Sequence, residues 1–228
     1  MPKIGVLLSG CGVFDGAEIH ESVLTLLALS QANVDVQIMA PNRDQTHVIN
    51  HLLGAPSDDE SRNILVESAR IARGNITDLS EVDLDQLDGL ILPGGFGVAK
   101  NFCSFAFDGV DCSVEEDVAH LLTQAQEKEI PLGIACIAPA LIGKIFGNGK
   151  LTVGQLTDPA SGALTAFGVQ ACECSASEIV VDADFRRVST PAYMLEAPLS
   201  QINLGLQKMV NQVYVINQLL IFPLTLFN

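Results

Sequence analysis

Short, nearly unbroken apolar runs alternate along this chain with longer segments whose apolar positions recur every three or four residues. The run 3–9 is almost wholly apolar and ends in a glycine turn, which predicts a buried strand. Positions 18–33 follow a helical period. Val23, Leu24, Leu26, Leu27, Ala28 and Leu29 cover most of that surface, so the helix is expected to be buried. Val34, Val36 and Ile38 alternate in 34–40, and Pro41 stops this second strand. Residues 60–73 read as a helix ended by Gly74, and 87–92 as a buried strand ended by Pro93-Gly94-Gly95. Ser113-Val114-Glu115-Glu116 has the form of a capping box, with Val114, Val118, Leu121, Leu122 and Ala125 at helical spacing. A short strand at 131–135 runs into a helix at 139–146, with Gly147 just after it. In 151–190 the legible feature is a small hairpin, 179–182 with 187–189 around Ala183-Asp184. Pro191 is placed to open a final helix reaching about Val215.

Strand and helix alternate for most of the length, the pattern of a parallel sheet wrapped by helices. In such sheets chemistry sits past the carboxyl ends of the strands. The loops 9–16, 93–101 and 135–139 fall there. The 228 residues show no linker, repeat or low-complexity tract, so one domain is expected over 1–217, followed by an apolar tail at 218–228. That tail is too short and too broken by Pro223 to span a bilayer.

Composition narrows the function classes. Lys and Arg number 12 against 27 Asp and Glu, a net charge of −15. With no Trp and two Tyr, such a chain is a poor partner for nucleic acid or an anionic membrane. The start, Met1-Pro2-Lys3-Ile4-Gly5-Val6, does not read as a signal peptide. The six cysteines are therefore expected as free thiols in a reducing compartment.

The candidate chemistry centres on Cys136, in Gly133-Ile134-Ala135-Cys136-Ile137-Ala138-Pro139. A strand turning straight into a helix there pushes a side chain out toward substrate. The helix N-terminus favours a thiolate. The plainer alternative is a buried structural cysteine. Gly94 and Gly95 follow a strand, and their N–H groups, with that of Ile137, form a candidate oxyanion site. Glu18 and Glu21 share a face at the start of the first helix. Either they serve only the helix N-terminus, or one of them manages the proton of Cys136. Lys100, Asn101 and Cys11 are further candidates for the pocket, with Cys11 also a candidate disulfide partner of Cys136. Cys172 and Cys174, with Cys103 or Cys112, have poor spacing for zinc, so no metal is expected.

The segment Ser9-Gly10-Cys11-Gly12-Val13-Phe14-Asp15-Gly16-Ala17-Glu18-Ile19-His20-Glu21 resembles the ElbB family (enhancing lycopene biosynthesis, or sigma cross-reacting, proteins). Its wider group is the PfpI and parkinsonism-associated deglycase superfamily, related to class I glutamine amidotransferases. Val48-Ile49-Asn50-His51-Leu52, the stretch 93–101, Cys136-Ile137-Ala138-Pro139 and Ser189-Thr190-Pro191-Ala192-Tyr193-Met194-Leu195 extend the resemblance over about 3–215. It implies a flavodoxin-like three-layer sandwich with a cysteine nucleophile elbow, usually a homodimer, in the cytoplasm. The implied activity is a cofactor-free glyoxalase, converting glyoxal to glycolate through a Cys136 hemithioacetal, with protein deglycation as related chemistry. By motif, Cys136 matches the corner cysteine and Glu21 the acidic residue bonded to it, with Glu18 as the alternative. Gly94, Gly95 and Ile137 match the oxyanion site. The four histidines, His20, His47, His51 and His120, all precede Cys136, so neither a glutaminase nor a protease triad forms from the usual positions. The competing reading is a non-catalytic redox-sensing or regulatory protein linked to isoprenoid biosynthesis.

Overall fold

The computed structural model describes residues 1–221, with side-chain surroundings through residue 216. The apolar tail at 218–228 lies outside the residues whose side chains are described. In chain order the elements are β1 (Lys3–Leu7), α1 (Ile19–Gln31), β2 (Asp35–Ala40), β3 (Ile49–Asn50), β4 (Ala55–Pro56), α2 (Ile64–Ala72), β5 (Thr77–Asp78), β6 (Gly89–Leu92), α3 (Phe105–Asp108), α4 (Glu116–Glu127), β7 (Leu132–Ala135), α5 (Ala138–Phe146), β8 (Lys150–Gly154), α6 (Pro159–Ala166), β9 (Gln170–Glu173), β10 (Val180–Asp182), β11 (Arg187–Thr190) and α7 (Leu199–Ile221).

The central sheet has seven strands in the order β10-β11-β7-β6-β1-β2-β5. Its neighbours pair in parallel except β10 with β11, the expected hairpin. The central strands β6 and β7 are buried along their whole length, as a parallel sheet covered on both faces requires. On one face Ala28, Leu29, Ile202, Leu206 and Met209 bring α1 and α7 onto the sheet. On the other, Val118, Leu122, Leu141, Ile142 and Leu164 bring down α4, α5 and α6. The fold is thus the expected three-layer α/β arrangement with a mostly parallel sheet.

Three local expectations are corrected, and one pair of strands is new. Helix α1 buries Glu21, Ser22, Thr25, Ala28 and Leu29, while Ile19, Val23 and Leu27 are exposed on its outer face. One face is enough to cover the sheet, so the apolar surplus stays outside. The capping box does not form. The Ser113 N–H donates to Ser104 Oγ at 3.0 Å, and α4 starts after Glu115 without a side-chain cap. The last helix begins at Leu199, after a 3₁₀ turn at Ala192–Met194. Ala192 stands at φ 43°, a left-handed conformation outside the α-helical region. Finally, β8 and β9 pair in parallel around α6, outside the main sheet. No clean period marked them in the sequence.

Candidate active site

The strand ends β1, β6, β7 and β11 point toward one edge of the sheet, and the loops beyond them meet there. Strand β7 passes directly into α5, with Cys136 and Ile137 as the whole connection. Cys136 takes φ 60°, strained for a residue with a Cβ, and its N–H donates to Thr190 O at 3.0 Å. The turn aims the thiol outward along the sheet edge, into a cavity of about 200 Å³. Val13, Phe96, Ala99, Phe105, Ile137 and Met194 supply its apolar wall.

Glu21 is fully buried one turn into α1. Its Oε2 accepts the Gly94 N–H at 2.8 Å, its Oε1 accepts the Tyr193 N–H at 3.1 Å, and it hydrogen-bonds Cys136. Glu18 has a different task. It caps α1, its Oε2 accepting the Glu21 N–H at 2.6 Å, while its own N–H donates to Gly94 O at 2.9 Å. Of the two carboxylates, Glu21 therefore faces the thiol, and Glu18 holds the helix start that carries it. Gly94 is close-packed by necessity: a Cβ there would stand 2.2 Å from Cys136 Cβ.

The amides separate in the same way. The Gly94 N–H is committed to Glu21, whereas the N–H groups of Gly95 and Ile137 are aimed at the Cys136 sulfur. Gly95 sits at φ 101°, where any side chain would collide with Gly16 O at 2.3 Å. Three other sequence candidates do not reach the cavity. Lys100 Nζ donates to Phe14 O at 2.9 Å and lies over the Phe96 ring. Asn101 is buried; its Nδ2 donates to Ser9 O and Asp15 O, and its Oδ1 accepts the Thr46 N–H. It clamps the loops together. Cys11 is a half-buried free thiol beside Glu67 and Arg70, at α2, and does not line the cavity that Cys136 faces. Among the described residues no group of three His, Cys, Asp or Glu side chains is placed to hold a metal ion.

Burial, and then the charge of Glu18, push the Glu21 carboxyl up to about 7, against the opposing pull of the two N–H donors and Cys136. Burial and the charge of Glu21 push the Cys136 thiol up as well, with the Gly95 and Ile137 N–H groups pulling it down. This runs against the expectation of a thiol lowered by its helix N-terminus, because burial and the neighbouring carboxylate disfavour the thiolate. The two groups are coupled, and placing both charges here is unfavourable, so the pair gives up its protons one at a time.

This coupling has a stability signature. A carboxyl raised in the folded state keeps a proton that the unfolded chain releases. Stability is therefore full below about 4.5 and is lost as pH rises through about 7. Urea unfolding of the wild type from pH 5 to 8 is expected to show a decline of up to about 3 kcal/mol that Glu21→Gln lacks. Parallel profiles for the two proteins would refute the raised carboxyl.

The residues missing from the sequence reading are Phe105, Ala106, Tyr193 and Met194, all on the cavity wall. The last two follow β11. Their signal lies in Thr190-Pro191-Ala192-Tyr193, which leaves a strand at the same edge, but Pro191 equally fits a helix start.

No family model matches the chain. It is 44% identical over 219 residues to the human glutamine amidotransferase-like class 1 domain-containing protein 3, mitochondrial, covering 92% of this chain and 82% of that protein. It is 43% identical, with the same coverage, to the rat ES1 protein homolog, mitochondrial. Both names state a mitochondrial location, where the sequence reading expects the cytoplasm. No helix among the described residues is long and apolar enough to cross a membrane. Among solved structures, the isoprenoid biosynthesis protein with amidotransferase-like domain from Ehrlichia chaffeensis superposes with a TM-score of 0.88 at 34% identity, covering 95% of this chain and 99% of that one. Drosophila melanogaster DJ-1beta shares the fold at a TM-score of 0.56 and 17% identity, covering 96% and 97%. With a cysteine on a strained strand-to-helix corner at the sheet edge and relatives this similar over nearly its whole length, the chain belongs to the glutamine amidotransferase-like class 1 family.

Proposed function

We propose that this protein is a member of the ElbB branch and a glyoxalase that uses neither glutathione nor a metal, converting glyoxal to glycolate at Cys136. The observation that carries the reading is the buried carboxyl of Glu21 against a thiol on a strained corner, with two N–H groups aimed at the sulfur. In this mechanism the thiol proton of Cys136 moves to the Glu21 carboxylate, and the Cys136 thiolate forms a bond to one aldehyde carbon. The carbonyl oxygen takes the developing charge beside the Gly95 and Ile137 N–H groups and then receives the proton held by Glu21, giving a hemithioacetal and freeing the Glu21 carboxylate. The Glu21 carboxylate removes the hydrogen from that carbon and returns it to the second carbon, while the hemithioacetal hydroxyl proton passes through solvent to the second oxygen. The product is a glycolyl thioester on Cys136. Water adds to it, the sulfur leaves with a proton, and glycolate is released. Overall, glyoxal and one water become glycolic acid, with no external oxidant or reductant.

The test is glycolate formation from glyoxal by purified protein without glutathione or added metal. One glycolate per glyoxal consumed, at a rate above buffer, is the expected result. A rate equal to buffer would overturn the reading. A regulatory role linked to isoprenoid biosynthesis would then lead, supported by the printed name of the Ehrlichia chaffeensis relative.

A further inference from the structure

The cavity wall carries few polar side chains. Glu18, on that wall, is committed to the α1 cap and Cys136 is the nucleophile, which leaves Tyr193 on the same wall. This tyrosine is held at both ends by the first turn of α1. Glu21 Oε1 accepts its N–H at 3.1 Å, and His20 Nδ1 lies 3.0 Å from its hydroxyl. The residue before it, Ala192, is fully buried at φ 43°. A non-glycine residue keeps such a conformation only where its surroundings impose it. Here the strained turn presents Tyr193 to the cavity that holds Cys136. His20, on the first turn of α1, thus fixes the hydroxyl end of the tyrosine.

We propose that Tyr193 is a substrate-binding residue of this site, its hydroxyl donating to the second carbonyl oxygen of a dicarbonyl whose first carbonyl carbon bonds to Cys136 Sγ, with His20 as its positioning residue. The inference rests on the reading that Cys136 adds to aldehydes. When Nδ1 carries the proton, His20 donates to the phenolic oxygen and leaves the phenolic proton for the substrate. Burial and the charges of Glu18 and Glu21 hold the phenol above its ordinary range, so it remains a donor throughout the working pH range. A donor at the second oxygen stabilises the negative charge that develops there when the hydrogen leaves the first carbon. It also selects two-carbonyl substrates over simple aldehydes.

The experiment uses the full chain as wild type, Tyr193→Phe, His20→Ala and His20→Asn. The asparagine keeps an N–H near the place of Nδ1. Two readouts are taken: turnover of glyoxal, and protection of Cys136 from iodoacetamide by glyoxal or by acetaldehyde, which has one carbonyl. Tyr193→Phe is expected to lower kcat/KM for glyoxal roughly tenfold to a hundredfold and to weaken glyoxal protection similarly. Protection by acetaldehyde and labelling without aldehyde are expected to stay unchanged, which loss of local structure would not allow. His20→Ala is expected to show a smaller loss, restored to within about twofold by His20→Asn. Wild-type values for glyoxal in Tyr193→Phe, with turnover present in both, would overturn this inference alone. Absence of both turnover and protection in the wild type would overturn the glyoxalase reading and this inference with it.

Discussion

Replacing Cys136 by serine is expected to lower glycolate formation from glyoxal by roughly three orders of magnitude or more, with the fold retained. The serine hydroxyl is nearly the same size and inherits the same partners, Glu21 on one side and the Gly95 and Ile137 N–H groups on the other. The polar contacts that surround the thiol are thus preserved, and unfolding should change little. What is lost is an atom that accepts negative charge at neutral pH. A buried carboxyl raised to about 7 is a base matched to a thiol, and is far too weak for an alcohol. The remaining site still binds and polarises an aldehyde, so a residual rate just above buffer is expected. Turnover within tenfold of wild type would remove Cys136 from the reaction and leave another group to be found.

The second large effect is expected at Gly94, where alanine should cost both stability and activity. A Cβ at this position would stand 2.2 Å from Cys136 Cβ, 2.8 Å from Cys136 Sγ and 2.8 Å from Glu21 Oε2. Two of these neighbours belong to backbone-anchored positions that have no room to retreat, because β6 and β7 are adjacent, buried strands. Overpacking of this kind costs about 3 kcal/mol or more, at the upper end of its usual range. For a chain of this size that corresponds to a fall in Tm of roughly 6–12 °C. The displacement also acts directly on chemistry, since moving a nucleophile by about 1 Å costs on the order of a hundredfold in rate. Thermal unfolding and the glyoxal assay on Gly94→Ala check both parts together. Wild-type values in the two measurements would mean that the strand ends adjust freely and that the close approach has no functional weight.

Most of the architecture was legible because it is written in local periods. The buried runs that became β1, β6 and β7 are short and apolar, and they end in glycine or at the corner cysteine. The helical spacing of α4 and α5 survived intact. The hairpin of β10 and β11 was readable from its turn. The failures also have local causes. The capping box at Ser113 lost to a nearer partner, Ser104, which takes the serine N–H. Pro191 was compatible with a helix start, but Glu21 takes the Tyr193 N–H and Ala192 goes to φ 43°. The parallel pair β8 and β9 carries no alternation strong enough to be seen beside its glycines.

By itself the amino-acid order determined the kinds of element present, the corner that exposes Cys136, and the pair Glu18 and Glu21 on one turn of α1. Each depends on residues within about one helical turn or one strand of each other, where backbone geometry allows few alternatives. Only the tertiary structure decided which carboxylate meets the thiol, which amides are free to face it, and that Tyr193 lines the cavity. Those contacts join positions 73 and 172 residues apart, Glu21 with Gly94 and Glu21 with Tyr193. They are set by the parallel register of the strands that carry the loops, and this register follows from burial of the whole sheet rather than from any segment of it.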